Sequence, residues 1–235
     1  MVKCNIISPT KANRLFWLGR YVERVYMTLH ILRKCYDRMI DGEPSDYELL
    51  KSKLDPSQTY KETADFTMGM LYDEGNKSSI ISSLKFAFDN AILLREDITS
   101  ESLSFIEMSI AFIKKCKSDN VMNITYLQNI TDWMLSFWGS CEERITNHGE
   151  LSVIMVGKSI EKMDLSLRFN YPFNTIDLIY TKLNGIDAGL RDLLFDSIVE
   201  KRLDDSIKQY RALSNGLAID YGDEILRELN QLVKV

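Results

Sequence analysis

Residues Leu15–Arg33 read LFWLGRYVERVYMTLHILR, and this stretch decides the fold. Its apolar positions Leu15, Leu18, Val22, Val25, Leu29 and Leu32 step by 3, 4, 3, 4 and 3. That is the seam of an α-helix, whereas a half-buried strand alternates with a period of two. Upstream, Ser8-Pro9 offers a capping hydroxyl followed by a proline at the first helical position. Downstream, no breaker intervenes before Asp41-Gly42-Glu43-Pro44, so one long helix is expected between them.

The same rule extends along the chain. Residues 45–73 read as a short helix or loop. Asn76 precedes a helix over Ser78–Asp97, striped by Ile80, Leu84, Ala87, Ala91 and Leu94. Thr99 or Ser100 opens the next, through Lys117, with Leu103, Ile106, Ile110 and Ile113 inside. A Trp- and Met-bearing helix covers 121–145. Asn147 with Glu150, and Asn174 with Asp177, resemble capping boxes. Shorter helices fill 186–200, 203–214 and 221–233. The composition agrees: only 4 Pro and 11 Gly in 235 residues leave few helix breakers. The fold class is all-α, a bundle of about seven to nine helices.

Composition also excludes functions. A 45% apolar and 27% charged chain is an ordinary folded domain, not a disordered one. The net charge of −5 argues against general binding to nucleic acid or to an anionic membrane. Met1–Thr10 holds no apolar core behind a cationic lead, and no apolar run is long enough to span a bilayer. Cys4, Cys35, Cys116 and Cys141 form no C-x-x-C, so reduced thiols in a cytoplasmic protein are expected.

An internal repeat carries the informative motif. Val153–Tyr171 reads VIMVGKSIEKMDLSLRFNY, 138 positions beyond Leu15–Arg33. Gly19 aligns with Gly157, Arg20 with Lys158, Val22 with Ile160, Glu23 with Glu161 and Arg24 with Lys162. The seam repeats at Val153, Val156, Ile160, Met163 and Leu167. The shared G-[RK]-x-[VI]-E-[RK] pattern suggests two divergent repeats, about 8–117 and 121–235, within one helical domain spanning 1–235.

Gly19 and Glu23 are four apart and share a face beside the seam. A glycine in mid-helix costs about 1 kcal/mol relative to alanine, so Gly19 serves close approach by another helix or a ligand. Glu23 can reach back to Arg20 but not to its neighbour Arg24, which must find a partner elsewhere. Two readings follow. Glu23 and Arg24 are inter-helix ion contacts, since an unpaired buried charge costs several kcal/mol; or they face a cleft, Arg24 taking a carboxylate and Glu23 an amine.

The stretch ANRLFWLGRYVERVYMT, residues 12–28, with its Glu-Arg pair resembles the first signature of the bacterial Alpha-E domain family. LYDEGNKSSIISSLKFAFDNAILLREDITSE, residues 71–101, resembles its next, through Asp73, Asn76, Ser78, Ser79, Ile80, Ser83, Leu84, Asn90, Ala91, Arg95, Ser100 and Glu101. The second copy departs from the pattern: Lys162 stands in place of the arginine, Asn174-Thr175-Ile176 is a faint echo of the Ser-Ile start, and Arg191 is a counterpart of Arg95 outside the repeat register. The resemblance implies a helical, tandemly duplicated domain associated with a peptide synthesis or modification system. There its neighbours are ATP-grasp carboxylate–amine ligases, transglutaminase-like proteases and an NTN-hydrolase-type peptidase.

A complete catalytic set is not legible. His30 and His148 are the only histidines, and no Glu-x-x-His pair offers a di-metal site, so neither metal nor cofactor is expected. No phosphate loop or G-x-S-x-G nucleophile turn is present. Glu142-Glu143 and Asp204-Asp205 read as solvated faces, and Ser78-Ser79 and Ser82-Ser83 as caps and packing residues. The candidate polar cluster is Arg20, Glu23, Arg24, Asn90 and Arg95, with Arg95 facing Glu23, and with Lys158, Glu161 and Lys162 as second-repeat counterparts. The main expectation is a non-catalytic accessory protein partnering an ATP-grasp ligase, a transglutaminase-like protease or a peptide. The alternatives are an enzyme of the same system acting through Glu23 with Arg24 or Arg95, and a helical domain that binds an unrelated ligand or its own copy.

Overall fold

Ser8 caps the first helix, its hydroxyl accepting the Lys11 N–H at 3.3 Å, and α1 then runs from Pro9–Ile40. The computed structural model describes residues 7–41, 45–55, 59–121, 123–212 and 218–234. Ten further helices follow: α2 (Ser45–Leu54), α3 (Thr63–Tyr72), α4 (Ile80–Leu93), α5 (Arg95–Ser118), α6 (Gln128–Arg144), α7 (His148–Arg168), α8 (Phe173–Asn184), α9 (Ala188–Leu194), α10 (Ser197–Ala212) and α11 (Ala218–Gln231). A 3-10 turn, Ile124–Leu127, leads into α6. Among the described residues the only β pairing is an isolated bridge between Phe195 and Val233. The protein is an all-α bundle, with eleven helices among the described residues where about seven to nine were expected.

Residues 45–73, read as one short helix or loop, hold both α2 and α3, and other helix boundaries shift at breaks that the apolar stripe conceals. The expected Ser78–Asp97 helix ends at Leu93, and Leu94 (φ −109°) turns the chain into α5. Within α5, Thr99 takes φ 70° and ψ 156°, a region almost reserved for glycine, and its buried hydroxyl has no partner among the described residues. Burial of Ile98 and the Lys11–Asp97 ion pair hold this kink in place. The expected cap at Asn174 is not used: Pro172, its φ fixed at −52°, starts α8 two residues earlier, and the Asp177 carboxylate pairs with Arg211 instead. Asn147 does cap α7, accepting the Gly149 and Glu150 N–H groups. Ser79 caps α4 by accepting the Ser82 N–H, which accounts for part of the serine cluster. Residues 203–214 begin no helix of their own, because α10 starts at Ser197, where Asp196 accepts the Ile198 and Val199 N–H groups.

α1 is the axis of the bundle. It packs along α7 and α4 and also meets α6 and α2; α5 packs on α6 and α4, α7 on α8 and α11, and α10 on α11. Every seam position from Leu15 to Leu32 is buried, as are Val153, Val156, Ile160, Met163 and Leu167. Both stripes therefore supply one core, whose burial at roughly 25 cal/mol per Å² is the main stabilising term. Cys35, Cys116 and Cys141 are buried as thiols, while Cys4 lies outside the described residues. Among the described residues no helix is long and apolar enough to cross a membrane.

Candidate functional site

Gly19 and Gly157 meet where α1 crosses α7. A Cβ placed on Gly19 would lie 2.2 Å from the Ile154 carbonyl oxygen, and one on Gly157 would lie 2.1 Å from the Phe16 carbonyl oxygen. The contact is reciprocal. Each glycine admits the backbone of the other helix, and the aligned positions Arg20 and Lys158 contribute the next atoms on each side. Neither glycine can carry a side chain unless the helices separate. This explains why both seams keep a residue with poor helix propensity.

The crossing brings the two Glu-Lys/Arg motifs face to face, and their two acids fare differently. Glu161 is 2% exposed and accepts Arg20 Nε at 2.7 Å, Arg24 Nε at 2.5 Å and Arg24 Nη2 at 3.1 Å. Burial alone would raise its pKa, but the two guanidinium groups outweigh burial and hold the carboxyl below its ordinary range. Arg24 responds in kind: burial works against its charge, and Glu161 more than offsets it. Aromatic faces fix both arginines, Arg20 lying 5.2 Å from the Trp17 ring centre and Arg24 5.5 Å from that of Tyr21. One turn along α7, buried Asp164 accepts Arg168 Nε at 2.6 Å.

Glu23 is 1% exposed and has no such clamp. Lys158 and Lys162 of α7 act on its charge, but neither forms an ion pair or hydrogen bond among the described residues. The Trp138 indole of α6 lies beside the carboxylate and favours its charged form. Even so, among the described residues neither Glu23 Oε2 nor Trp138 Nε1, both buried, has a partner within hydrogen-bond geometry. Burial dominates, aided by the negative charge of Glu161, and pushes the Glu23 pKa up to about 7. Lys158 lies 4.2 Å from the Trp138 ring centre and has a depressed pKa through burial, which Glu23 and Glu142 oppose.

The remaining expected members go elsewhere. Arg20 does not reach back to Glu23, because the crossing offers it Glu161. Arg95 is exposed at the start of α5 and does not pair with Glu23. Asn90 turns onto its own helix, donating to the Phe86 carbonyl at 2.8 Å. His30 is exposed and stacks on Tyr26 at 6.3 Å. Sequence reasoning missed two features. It placed Trp138 only on the Trp- and Met-bearing helix over 121–145, without linking it to Glu23. It also missed Lys11, whose ammonium joins Asp97 at 2.7 Å and Glu150 at 2.5 Å, tying α1 to α5 and α7. No spacing signal could have shown these partners, which lie 86 and 139 positions away.

The raised Glu23 pKa has a consequence for stability. The folded chain holds this proton at pH values where the unfolded chain, with a carboxyl near 4.5, has released it. The native state thus binds more protons, and stability falls as pH rises through this window. Glu23→Gln removes the effect. Its stability relative to the parent should grow by about 3 kcal/mol between pH 4.5 and 7 and then level off, read from urea denaturation at stepped pH. A constant difference across that window would count against a buried, protonated Glu23.

These features define a class: an all-helical protein built around a glycine crossing between two helices that carry Glu-Arg and Glu-Lys motifs. The chain belongs to the Alpha-E family, described as a predicted alpha-helical domain with a conserved ER motif, whose model matches residues 8–218. Glu23-Arg24 is the Glu-Arg pair of the stretch that resembles the family's first signature. No curated protein and no solved structure matches the chain.

Proposed function

We propose that this protein is a non-catalytic accessory component of a peptide synthesis or modification system that uses ATP-grasp carboxylate–amine ligases. It would hold the ligase, a transglutaminase-like protease or the peptide itself. The system is the one that the Alpha-E resemblance implies. The observation carrying the accessory role is the clamp. Arg20, Arg24 and Glu161 spend their hydrogen-bonding capacity on one another, so the family's ER motif joins two helices instead of facing a substrate. Two local repeats meeting at reciprocal glycines also support a duplicated scaffold, in which the motif is kept for the packing of one half on the other.

The enzyme reading rests on Glu23 alone, a buried acid with a pKa suited to proton transfer at neutral pH. Arg24 is engaged by Glu161 and Arg95 is remote, so neither of its proposed substrate-holding groups stands beside it. Calorimetric titration of the full chain against an ATP-grasp carboxylate–amine ligase from the same organism tests the accessory role. Saturable binding with a Kd of about 1 μM or tighter is expected. No heat at high concentration would overturn the reading.

A further inference from the structure

We propose that the cavity between α1, α2 and the turn after α7 binds the carboxylate of a short aliphatic acid, its charge on Lys34 and its chain against Ile31, Leu50, Phe169 and Tyr171. This goes beyond the accessory role and does not depend on it. Three separate stretches build the cavity. Ile31, Lys34 and Arg38 are spaced by three and four along α1, so they share a face and form one wall. From α2, Leu49 and Leu50 form another. The third comes from the end of α7. There Asn170 takes φ 50°, and the Tyr171 and Asn170 N–H groups donate to the Ser166 and Leu167 carbonyls at 2.9 and 3.1 Å. This pair of hydrogen bonds closes a helix through a left-handed residue, and it fixes Phe169 and Tyr171 on the cavity.

The cavity holds about 110 Å³. A void of about 150 Å³ accepts benzene, so this one suits an aliphatic group of about four or five carbons. Its inner wall is apolar: Ile31 and Leu50 are buried, and Phe169 and Tyr171 half-buried. The exposed side chains of Lys34, Arg38 and Leu49 mark its mouth. Among the described residues no acid lines it, although the chain carries a net charge of −5. Two cations four apart on one helix face repel each other. Arg38 stands in the last turn of α1, where a positive charge complements the helix end. Lys34 lies a turn further in, beyond the reach of that effect. Among the described residues it forms no ion pair or hydrogen bond, and its ammonium lies 5.8 Å from the Tyr171 ring centre. A carboxylate would pair with Lys34 while its chain displaces water from the apolar wall. Sulfate could use the charge but not the wall, and a neutral apolar group the wall but not the charge. The two demands together select an apolar carboxylate, as a free acid or as the carboxyl end of a peptide that finishes in an aliphatic residue.

The test is an NMR titration of the full chain with N-acetyl-leucine, which mimics a peptide end, and with 4-methylpentanoate, a free acid of the same carbon skeleton. At least one should bind saturably with a Kd of about 1 mM or tighter, shifting the resonances of residues 31–38, 49–50 and 169–171. Tighter binding of N-acetyl-leucine assigns the cavity to peptide ends, and of 4-methylpentanoate to free acids. N-acetyl-leucinamide, which lacks the charge, and sulfate, which lacks the chain, should each bind about tenfold more weakly or not at all. Lys34→Met keeps the apolar stem and should weaken binding about tenfold, whereas Lys34→Arg should retain most of it. Leu49→Trp should obstruct the mouth from an exposed position and abolish binding at an unchanged melting temperature; if it disturbs folding, the Lys34 variants decide. No saturable binding of either acid up to about 10 mM, equal binding of the amide or of sulfate, undiminished binding by Lys34→Met, or shifts confined to another region would overturn the proposal. None of these outcomes bears on the ligase titration, so the two readings fail separately.

Discussion

Gly157→Ala is expected to destabilise the chain by about 3 kcal/mol or more, or to prevent cooperative folding. The added Cβ would sit 2.1 Å from the Phe16 carbonyl oxygen, a backbone atom in the middle of α1 that no side-chain rotation can move. Relief requires α1 and α7 to separate along their whole packed length, which opens gaps beside Leu15, Leu18, Val153 and Val156. Overpacking usually costs about 1–3 kcal/mol, and here the clash is between main chains. The gain in helix propensity, about 1 kcal/mol, does not compensate. Gly139→Ala is the control. Gly139 lies within α6 with no atom within 4 Å of its would-be Cβ, so there the propensity gain should appear as a stabilisation of up to about 1 kcal/mol. Urea denaturation of the two variants should give opposite signs. If Gly157→Ala were as mild as Gly139→Ala, the crossing would not be as close as described.

Glu161→Gln is expected to cost about 3–5 kcal/mol, the range seen when one partner is removed from a buried ion pair. Arg20 and Arg24 would face a neutral amide whose NH₂ group cannot accept from them, with aromatic rings holding both in place. The contrast with Glu23→Gln is informative because the chemical change is the same and the two positions are aligned. Above pH 7 the Glu23 change should stabilise, since it removes a buried carboxylate that no ion pair clamps among the described residues, while the Glu161 change should destabilise strongly. The pH dependence inverts as well. The folded pKa of Glu161 lies below its unfolded value, so its contribution is complete at neutral pH and is lost as pH falls below 4.5. Equal effects of the two glutamine substitutions at pH 8 would contradict the asymmetry of the crossing.

Much of this arrangement is written in local sequence. The 3,4 steps from Leu15 to Leu32 and from Val153 to Leu167 identify both helices and their buried faces, because burial on a helix repeats with the helix period. Gly19 is readable as a point of close approach. That its counterpart Gly157 is the very residue it approaches follows only from the packing of α1 on α7. Ion-pair partners were less legible. Arg20 looks available to Glu23 three residues away, but Glu161 on the facing helix is better placed and already gathers Arg24. Arg95 looks like a third member of the cluster if the Ser78–Asp97 helix is continuous; the turn at Leu94 leaves it exposed instead. Lys11 and Trp138 carry no motif, and Lys158 is legible only as the aligned counterpart of Arg20. Their importance comes from which charges and rings the tertiary structure sets beside them.

The most direct measurement is a double-mutant cycle between Arg24→Met and Glu161→Gln, followed by equilibrium urea denaturation at pH 7. A clamp across the α1–α7 crossing predicts that the two changes are strongly non-additive, with a coupling energy of about 1.5–3 kcal/mol. Additive effects, within about 0.5 kcal/mol, would show that Arg24 does not hold the second helix, and would contradict the structural role assigned to it.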